Sequence, residues 1–334
     1  RLLGTDLPFA AAYYNVNELG LWEHGRYILL RTSNDAHFGA QRGMPEAMVR
    51  QRAAKVNATL LAARADRVRP GLDHKVLTSW NAMMVRALCD AYDVFGDRAH
   101  LACAERAMRL LLTEARRSDG GLWRTRTDGI PAINGQLEDH ACCIDALLAL
   151  YDVTFNEEWL REARALLAYV QAHFSDAASG LFRSTSDLDP PLVSTPVEVL
   201  DSVTPSANAV MAQALLALGT LYEEEALTDA AARALGTVRP RMATWPSGYT
   251  HWAQVMQAHV HAWPQISITG PEALELRAAF NARYLPQRMF TGTTTSTLPI
   301  LTGKGAGDTT FITICVGRTC GLPVRSVDEA LRQL

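Results

Sequence analysis

Three consecutive ionisable residues, Glu138, Asp139 and His140, stand directly before an apolar run in the stretch LEDHACCIDALLALYDV. A carboxylate beside an imidazole can supply the general acid and base of a proton-transfer reaction. Aspartate is also a preferred residue at the start of a helix, and a histidine on an apolar helix is more often a buried structural group. The stretch therefore has two interpretations, a helix cap or a catalytic group at the mouth of a pocket.

Two further sets of polar residues stand at the starts of apolar helical segments. Their serines are well explained as helix caps, but a tryptophan beside an asparagine is not. An aromatic face and a nearby amide suit a sugar ring, which stacks on the one and hydrogen-bonds to the other. We therefore predict that these sets line a carbohydrate pocket, with Trp80 as the stacking platform. The sets comprise Ser79, Trp80, Asn81, Asp201, Ser206 and Asn208.

A charged loop precedes the first of these helices in the run RPGLDHKVLTSWN. Pro70 and Gly71 end the preceding helix, so Asp73, His74 and Lys75 are expected in a loop at the same rim. Lys75 would bind an anionic group of a ligand. A solvated charged turn is the alternative interpretation.

Two reactions fit these candidates. A glycosidase needs two carboxylates on either side of a sugar, and Asp139 with Asp73 or Asp201 could form that pair. An epimerase or isomerase needs an acid and a base on opposite faces of the sugar, for which His140 or His74 would serve. Glu138 is assigned to substrate binding. We find no spacing typical of a metal site, a phosphate-binding loop or a serine hydrolase, and expect no metal and no cofactor.

An internal repeat organises the chain. Asp93 recurs as Asp152, and the loop GGLWRT recurs as SGLFRS, each after 59 residues. A weaker third copy follows in TPSANAVMAQALLALGTLYEEEALTDAAARAL. Each unit comprises an apolar helix, a short polar turn, an amphipathic helix and a glycine-aromatic loop, and such periodicity is typical of stacked supersecondary units.

The two helices of each unit differ in their apolar pattern. The segment HACCIDALLALYDV is apolar on nearly all faces and should be buried, whereas EEWLREARALLAYVQAHF has one apolar stripe and should be half exposed. An inner apolar helix paired with an outer amphipathic one predicts an all-α fold, an α/α toroid with short β-hairpins at one rim. The starts of its inner helices would converge on one face, around a central pocket. The predicted strand-like stretches are RYILLR, GLWRT, GLFRS and TFITICVG.

Composition limits the class of protein. The 334 residues carry a net charge of −3, so no basic field favours nucleic acid, and no apolar run is long enough to span a membrane. We interpret the cysteines as free thiols in a reducing, cytoplasmic setting. A bridge between Cys315 and Cys320 is the less favoured alternative. The first residues carry no signal-peptide pattern.

Several long segments resemble one known family. RADRVRPGLDHKVLTSWNAMMVRAL, LEDHACCIDALLALYDVTFNEEWLREA and DSVTPSANAVMAQALLAL are similar to thioredoxin-domain-containing proteins related to spermatogenesis-associated protein 20. The C-terminal run ICVGRTCGLPVRSVDEALRQL follows the same pattern. The resemblance covers nearly the whole chain. The position after the aspartate of LED, usually aromatic in the family, is His140 here.

The resemblance implies a fold and a domain order. The family has a thioredoxin-like N-terminal domain followed by an (α/α)6 barrel similar to six-hairpin glycosidases and to N-acylglucosamine 2-epimerase. We therefore expect residues 1–334 to form one barrel domain, incomplete here, without the thioredoxin-like domain and the first barrel helices. The expected function is carbohydrate processing or binding. The alternative is a non-catalytic scaffold that holds a partner, such as the thioredoxin-like domain.

Overall fold

The computed structural model describes residues 1–190, 193–293, 297–305, 308–317 and 319–334. Contacts divide the chain into two compact units, Arg1–Asp73 and His74–Leu334. The prediction that the whole chain forms one barrel domain is not tested by this division and stays a prediction. No helix among the described residues is both long and apolar enough to cross a membrane.

The first unit is helical and has its own small core. Its helices are α1 (Leu7–Tyr13), α2 (Asp35–Ala40) and α3 (Glu46–Ala65). Phe9 and Tyr13 stack with ring centroids 5.5 Å apart, and Phe38 meets both rings edge-on. Val49 and Val56 of α3 are fully buried against this aromatic cluster. RYILLR, predicted as strand-like, contributes only an isolated bridge between Leu21 and Tyr27.

The second unit carries the predicted repeats as helical hairpins. Its helices are α4 (Thr78–Phe95), α5 (Arg98–Glu114), α6 (Leu137–Thr154), α7 (Glu157–His173), α8 (Ala207–Leu221), α9 (Glu225–Met242), α10 (Thr250–His261), α11 (Ala273–Phe280) and α12 (Val327–Leu331). Helices α4, α6, α8 and α10 pack side by side, and α5, α7 and α9 each cover the helix before them. The predicted helix-rich α/α fold is confirmed.

Burial separates inner from outer helices as the sequence pattern predicts. Helix α6 has twelve buried residues distributed around most of its circumference. On α7 the buried residues include the predicted stripe, whose members are Trp159, Ala163, Leu166, Leu167 and Val170. The charged side of α7 stays in solvent. Two outer helices begin alike, since Asp97 and Asn156 each accept a hydrogen bond from the N–H two residues ahead.

Among the described residues, nine short strands form three sheets. They are β1 (Lys75–Leu77), β2 (Trp123–Thr127), β3 (Ile130–Asn134), β4 (Ser175–Asp176), β5 (Leu181–Phe182), β6 (Pro264–Thr269), β7 (Met289–Thr293), β8 (Phe311–Val316) and β9 (Thr319–Cys320). The first three strands and the next two form small antiparallel sheets that connect the hairpins. The last four form one mixed sheet in the order β7-β6-β8-β9, in which β6 and β7 are parallel.

The mixed sheet differs from the predicted rim hairpins. GLWRT, GLFRS and TFITICVG all contribute strands as predicted, but β6 and β7 were not predicted. Helix α11 connects β6 to β7, which is the connection that a parallel pair requires. Pro264 opens β6 and Gly292 lies inside β7, and both residue types weaken the signal of a strand in a sequence.

A disulfide bond joins Cys315 of β8 to Cys320 of β9. The interpretation of these two cysteines as free thiols was therefore wrong. The two residues are direct cross-strand partners, because the turn between them folds the chain back on itself, and the spacing alone does not reveal that turn. Cys89, Cys103, Cys142 and Cys143 are free.

A buried arginine joins the ends of two inner helices to the mixed-sheet region. Arg277 of α11 is 2% exposed, and its guanidinium binds the carboxylates of Asp93 and Asp152, at 2.7 Å to each from Nη2. Burial alone would raise the pKa of Asp152, but the positive charges of Arg277 and Arg288 outweigh it and hold that pKa below its usual range. The repeat thus places equivalent aspartates 59 residues apart, at the point where one guanidinium binds both.

Replacing Arg277 with methionine should remove about 3–5 kcal/mol of unfolding free energy, because two partly buried carboxylates lose their main counter-charge. Urea denaturation of the purified chain measures this loss. Arg283→Met, an exposed arginine near the end of the same helix, is the matched control and should change stability by less than about 0.5 kcal/mol. Equal losses in the two variants would show that the buried network does not stabilise the fold.

Candidate functional site

Asp139 is fully buried, and its carboxylate accepts hydrogen bonds from N–H groups at the starts of two helices. One carboxylate oxygen accepts the N–H of Ser79 at 3.1 Å, and the other accepts the N–H of Gln136 at 2.9 Å. Gln136 is the cap residue of α6, and Asp139 completes a reciprocal capping box with it. Arg124 adds an ion pair at 3.1 Å. Burial raises the pKa of Asp139, while these donors oppose the rise.

His140 is also fully buried, with both ring nitrogens engaged. Nδ1 lies 2.8 Å from the carbonyl oxygen of Gln136, and Nε2 accepts the N–H of Leu122 at 3.2 Å. The ring stacks on Tyr169 with centroids 5.2 Å apart. Burial lowers the pKa of His140 to about 4, so the ring is neutral near pH 7.

Polar side chains at the helix starts form hydrogen bonds with the backbone of the glycine-aromatic loops of the repeat. His140 binds the loop at Leu122, and the equivalent Asn208 binds the next loop by accepting the N–H of Phe182 and donating to its carbonyl. A Cβ at Gly135 would lie 2.5 Å from the carbonyl oxygen of Leu122, so only glycine allows this close approach. These loops cannot hydrogen-bond to water once they are covered by helices, and the side chains replace the lost partners.

Asp201 accepts hydrogen bonds at the starts of α8 and α10, as Asp139 does at the starts of α4 and α6. One of its oxygens accepts the N–H of Ser206 at 2.8 Å, and the other accepts the N–H of His251 at 2.8 Å. The hydroxyl of Ser206 donates to the carbonyl of Glu198. Asn81 of α4 donates to the carbonyl of Leu77 at 2.8 Å.

The remaining predicted site residues lie closer to solvent. Glu138 is half-buried, and its carboxylate is 3.4 Å from Arg124. Trp80 is 62% exposed on α4. His74 and Lys75 are exposed beside it in sequence, at the start of the second unit, whereas Asp73 is the last residue of the first. The catalytic and binding roles assigned to all these residues stay predictions, and the contacts of Asp139 and His140 do not favour catalysis there.

A polar cavity lies elsewhere, between the middle of the inner helices and the mixed sheet. This inner cavity has a volume of about 130 Å³. Three of its lining residues, Arg86, Asp145 and Gln213, occupy equivalent positions of the repeat on α4, α6 and α8. The side chains that complete its polar wall are Asp90, Asp93, Asp152 and Arg288, with Trp263 and Phe290 among the apolar ones.

Arg86 connects two carboxylates at one side of the inner cavity. Its Nη1 donates to Asp145 at 2.9 Å, and its Nε lies 3.3 Å from Asp90 on the next turn. The charge of Asp145 is the main reason that the pKa of Arg86 is raised. Asp90 is 64% exposed, yet the protein around its carboxyl desolvates it enough to raise its pKa. Solvent and small molecules can therefore reach a carboxyl that holds its proton more readily than usual.

His251 is a further group near this wall. Burial lowers its pKa, opposed by the negative charges of Asp145 and Asp201. Its Nε2 is buried and has no hydrogen-bond partner among the described residues. Among the residues that the structure describes, no group of three or more histidine, cysteine, aspartate or glutamate side chains could hold a metal ion.

The residues predicted from the sequence lie at the starts of the inner helices. The cavity residues at the middles of these helices were not predicted. The signal was nevertheless available, because the shift of 59 residues that aligns Asp93 with Asp152 also aligns Arg86 with Asp145. Polar residues at matching positions of two otherwise apolar helices face the same space when those helices pack side by side.

Lowering the pH should destabilise the chain through His140. Its folded pKa of about 4 lies below the value of about 6.5 expected in the unfolded chain, so the unfolded state binds the proton first. The free energy of unfolding that neutral His140 contributes is complete above pH 6.5. It decreases as the pH falls towards 4, by up to about 3 kcal/mol. Urea denaturation across this range measures it.

The His140→Asn variant should lose much of this pH dependence, whereas His74→Asn, which removes an exposed histidine, should retain it. A wild-type slope that persists in His140→Asn would contradict the assignment.

Replacing Asp139 with asparagine should cost about 2–4 kcal/mol of stability in the absence of any ligand. An amide offers one acceptor oxygen, so one of the N–H groups of Ser79 and Gln136 loses its partner. Thermal unfolding measures the change, with Asp229→Asn on the exposed face of α9 as the control. A variant as stable as wild type would contradict the bridging role.

Comparison with known proteins supports the resemblance seen in the sequence. The chain is 27% identical to rat spermatogenesis-associated protein 20 over 93% of its own length and 42% of the relative's. It therefore spans about two-fifths of the curated relatives it matches. No protein-family model matches the chain.

Some solved structures resemble part of the chain. A cellobiose 2-epimerase from Bacillus thermoamylovorans is 20% identical with a TM-score of 0.42, over 49% of this chain and 44% of that one. A GH76 α-mannanase from Bacteroides thetaiotaomicron is 16% identical with a TM-score of 0.46, over 70% and 66%. Scores below 0.5 add no argument to the fold established by the helices themselves.

Proposed function

We propose that residues 74–334 form a carbohydrate-binding α/α domain and that its ligand occupies the inner cavity. The observation that carries this proposal is the set of three equivalent side chains on adjacent inner helices, Arg86, Asp145 and Gln213. A guanidinium, a carboxylate and an amide together supply donors and acceptors for the hydroxyls of a sugar. Trp263 adds an aromatic surface to the same cavity.

The size of the inner cavity limits the ligand. Its volume is about 130 Å³. It is below the range of about 300–1,000 Å³ typical of sites for drug-sized ligands. The proposed ligand is therefore one sugar ring, or one terminal ring of a longer saccharide.

The same cavity has the groups for acid–base chemistry. Asp90 is the candidate acid, because its carboxyl is exposed and its pKa is raised. Asp145 is the candidate base, oriented by its hydrogen bond from Arg86. Hydrolysis and epimerisation or isomerisation of a sugar both need such a pair. Under this proposal the domain is a sugar-processing enzyme as well as a sugar-binding one.

A specific observation favours a second candidate function, a scaffold. Trp80 and Met84 lie one turn apart on α4 and are 62% and 59% exposed. Large apolar side chains on one exposed helix face are typical of protein interaction surfaces. The polar groups at the helix starts are also occupied with structural hydrogen bonds, as a scaffold would require. A partner such as a thioredoxin-like domain is the candidate occupant.

The test is thermal unfolding of the chain against a panel of mono- and disaccharides and sugar phosphates. A sugar present at about 100 times its Kd should raise Tm by about 5 °C. Asp145→Asn should lose this shift, because it changes a hydrogen-bonding group in the cavity, whereas Asp229→Asn on the surface should keep it. Loss of turnover in Asp90→Asn with binding retained would identify an enzyme.

Two results would overturn the proposal. If no saccharide changes Tm, the cavity does not bind sugars, and a gain in stability with a partner domain would support the scaffold. If a sugar stabilises wild type and Asp145→Asn equally, the sugar binds outside the inner cavity.

A further inference from the structure

The disulfide between Cys315 and Cys320 has one buried and one accessible end. Cys315 is 2% exposed in β8, whereas Cys320 is exposed in β9. Strand β9 has two residues and forms the edge of the mixed sheet. A nucleophile from solution therefore has better access to Cys320 than to Cys315.

Both cysteines line a second, larger cavity at the sheet edge. This disulfide groove has a volume of about 950 Å³ and is also lined by His259, Trp263 and Lys304. Its size lies near the upper end of the range for ligand sites, so a reactant larger than a single thiol can enter beside the bond.

Strand β8 is also held in the mixed sheet by backbone pairing that does not involve this bond. Strand β8 pairs with β6 at six consecutive positions, from Pro264 opposite Val316 to Thr269 opposite Phe311. The bond itself joins residues only five apart, and short loops gain the least stability from a cross-link. A bond that is accessible and closes a short loop is better suited to reaction than to stabilisation.

We propose that Cys315–Cys320 is a thiol–disulfide exchange site whose substrate is a dithiol that enters the disulfide groove. This inference is independent of the sugar site. A dithiol is favoured over a single thiol because its second sulfur can resolve the mixed disulfide formed by the first.

The exchange balances in two steps. A thiolate of the dithiol attacks the sulfur of Cys320, the bond to Cys315 breaks, and Cys315 leaves as a thiolate that takes up the proton released by the attacking thiol. The second thiol then attacks the dithiol's own first sulfur and releases Cys320, which receives its proton. Two electrons pass to the protein: its disulfide is reduced, and the dithiol is oxidised to a disulfide.

Lys304 is a positioning residue for the leaving thiolate. Lys304 lines the same groove as Cys315, and its ammonium donates a hydrogen bond to the hydroxyl of Ser267 at 3.0 Å. A neighbouring positive charge stabilises a thiolate, and this offsets part of the cost of forming one at a buried sulfur. Burial lowers the pKa of Lys304, so its charge is retained less readily at high pH.

The experiment compares rates of reduction by dithiothreitol in the folded chain and in the chain unfolded by urea. Maleimide trapping followed by peptide mass mapping measures the reduced fraction at Cys315 and Cys320. The folded chain should be reduced within about tenfold of the unfolded rate, and faster by dithiothreitol than by glutathione at equal thiol concentration. Burial raises the pKa of Cys89 to about 12, so that thiol should not compete.

Two variants separate the chemistry from the fold. Lys304→Gln should slow reduction by about tenfold while Lys304→Arg retains the rate, because only the charge is needed. Cys315→Ser should trap a mixed disulfide at Cys320 with 5,5′-dithiobis(2-nitrobenzoate). Folded-state reduction more than about tenfold slower than in urea, or no trapping at Cys320, would show a structural disulfide and overturn the proposal.

Discussion

The starts of the inner helices are buried, and a buried helix start must find partners for its free N–H groups. In this chain carboxylates on neighbouring segments provide them. Asp139 binds the start of α4 while it completes the cap of α6, and Asp201 binds the starts of α8 and α10. Each carboxylate also lies at the positive end of helix dipoles. The packing of adjacent hairpins therefore depends on these charged groups as well as on apolar contact.

The repeated polar residues have different roles at the starts, the middles and the ends of the inner helices. At their starts the polar side chains satisfy backbone groups. Halfway along, Arg86 and Asp145 face the inner cavity and each other. At their ends, Asp93 and Asp152 bind Arg277 near the mixed sheet. Residues that recur after 59 positions thus satisfy backbone groups at one end of the inner helices and line a polar cavity in the middle. At the other end they bind Arg277 near the mixed sheet.

Much of the helical fold could be predicted, because helix periodicity and the repeat are local in sequence. The inner and outer helices, the stripe on α7 and three of the strand-like segments follow from them. Strands β6 and β7 could not be predicted in this way, since their pairing depends on partners distant in the chain. The bridge between Cys315 and Cys320 depends on a turn that the spacing does not reveal.

The candidate site shows a different limit of sequence reasoning. Residue types at the helix starts were recognised, but their roles depend on which backbone groups lie opposite, and LEDHACC contains no sign that His140 meets the N–H of Leu122. The start of α6 thus combines an acid and an imidazole because two buried segments need acceptors there. A capping motif and a catalytic pair can have the same residue types, and only the third dimension distinguishes them.

Charge decides which ligands suit the inner cavity. The cavity wall has four carboxylates and two guanidiniums, and Arg277 lies directly behind it as a third. With Asp90 protonated, as its proposed role as the acid requires, three negative charges face three positive ones, and the wall has no net positive charge. An anionic ligand would approach the carboxylates without a free counter-charge, since Arg86 and Arg288 already face aspartates. A neutral sugar exchanges hydrogen bonds with such a wall without that repulsion. Under the proposed sugar-binding function, the inner cavity is therefore better suited to an uncharged saccharide than to a sugar phosphate.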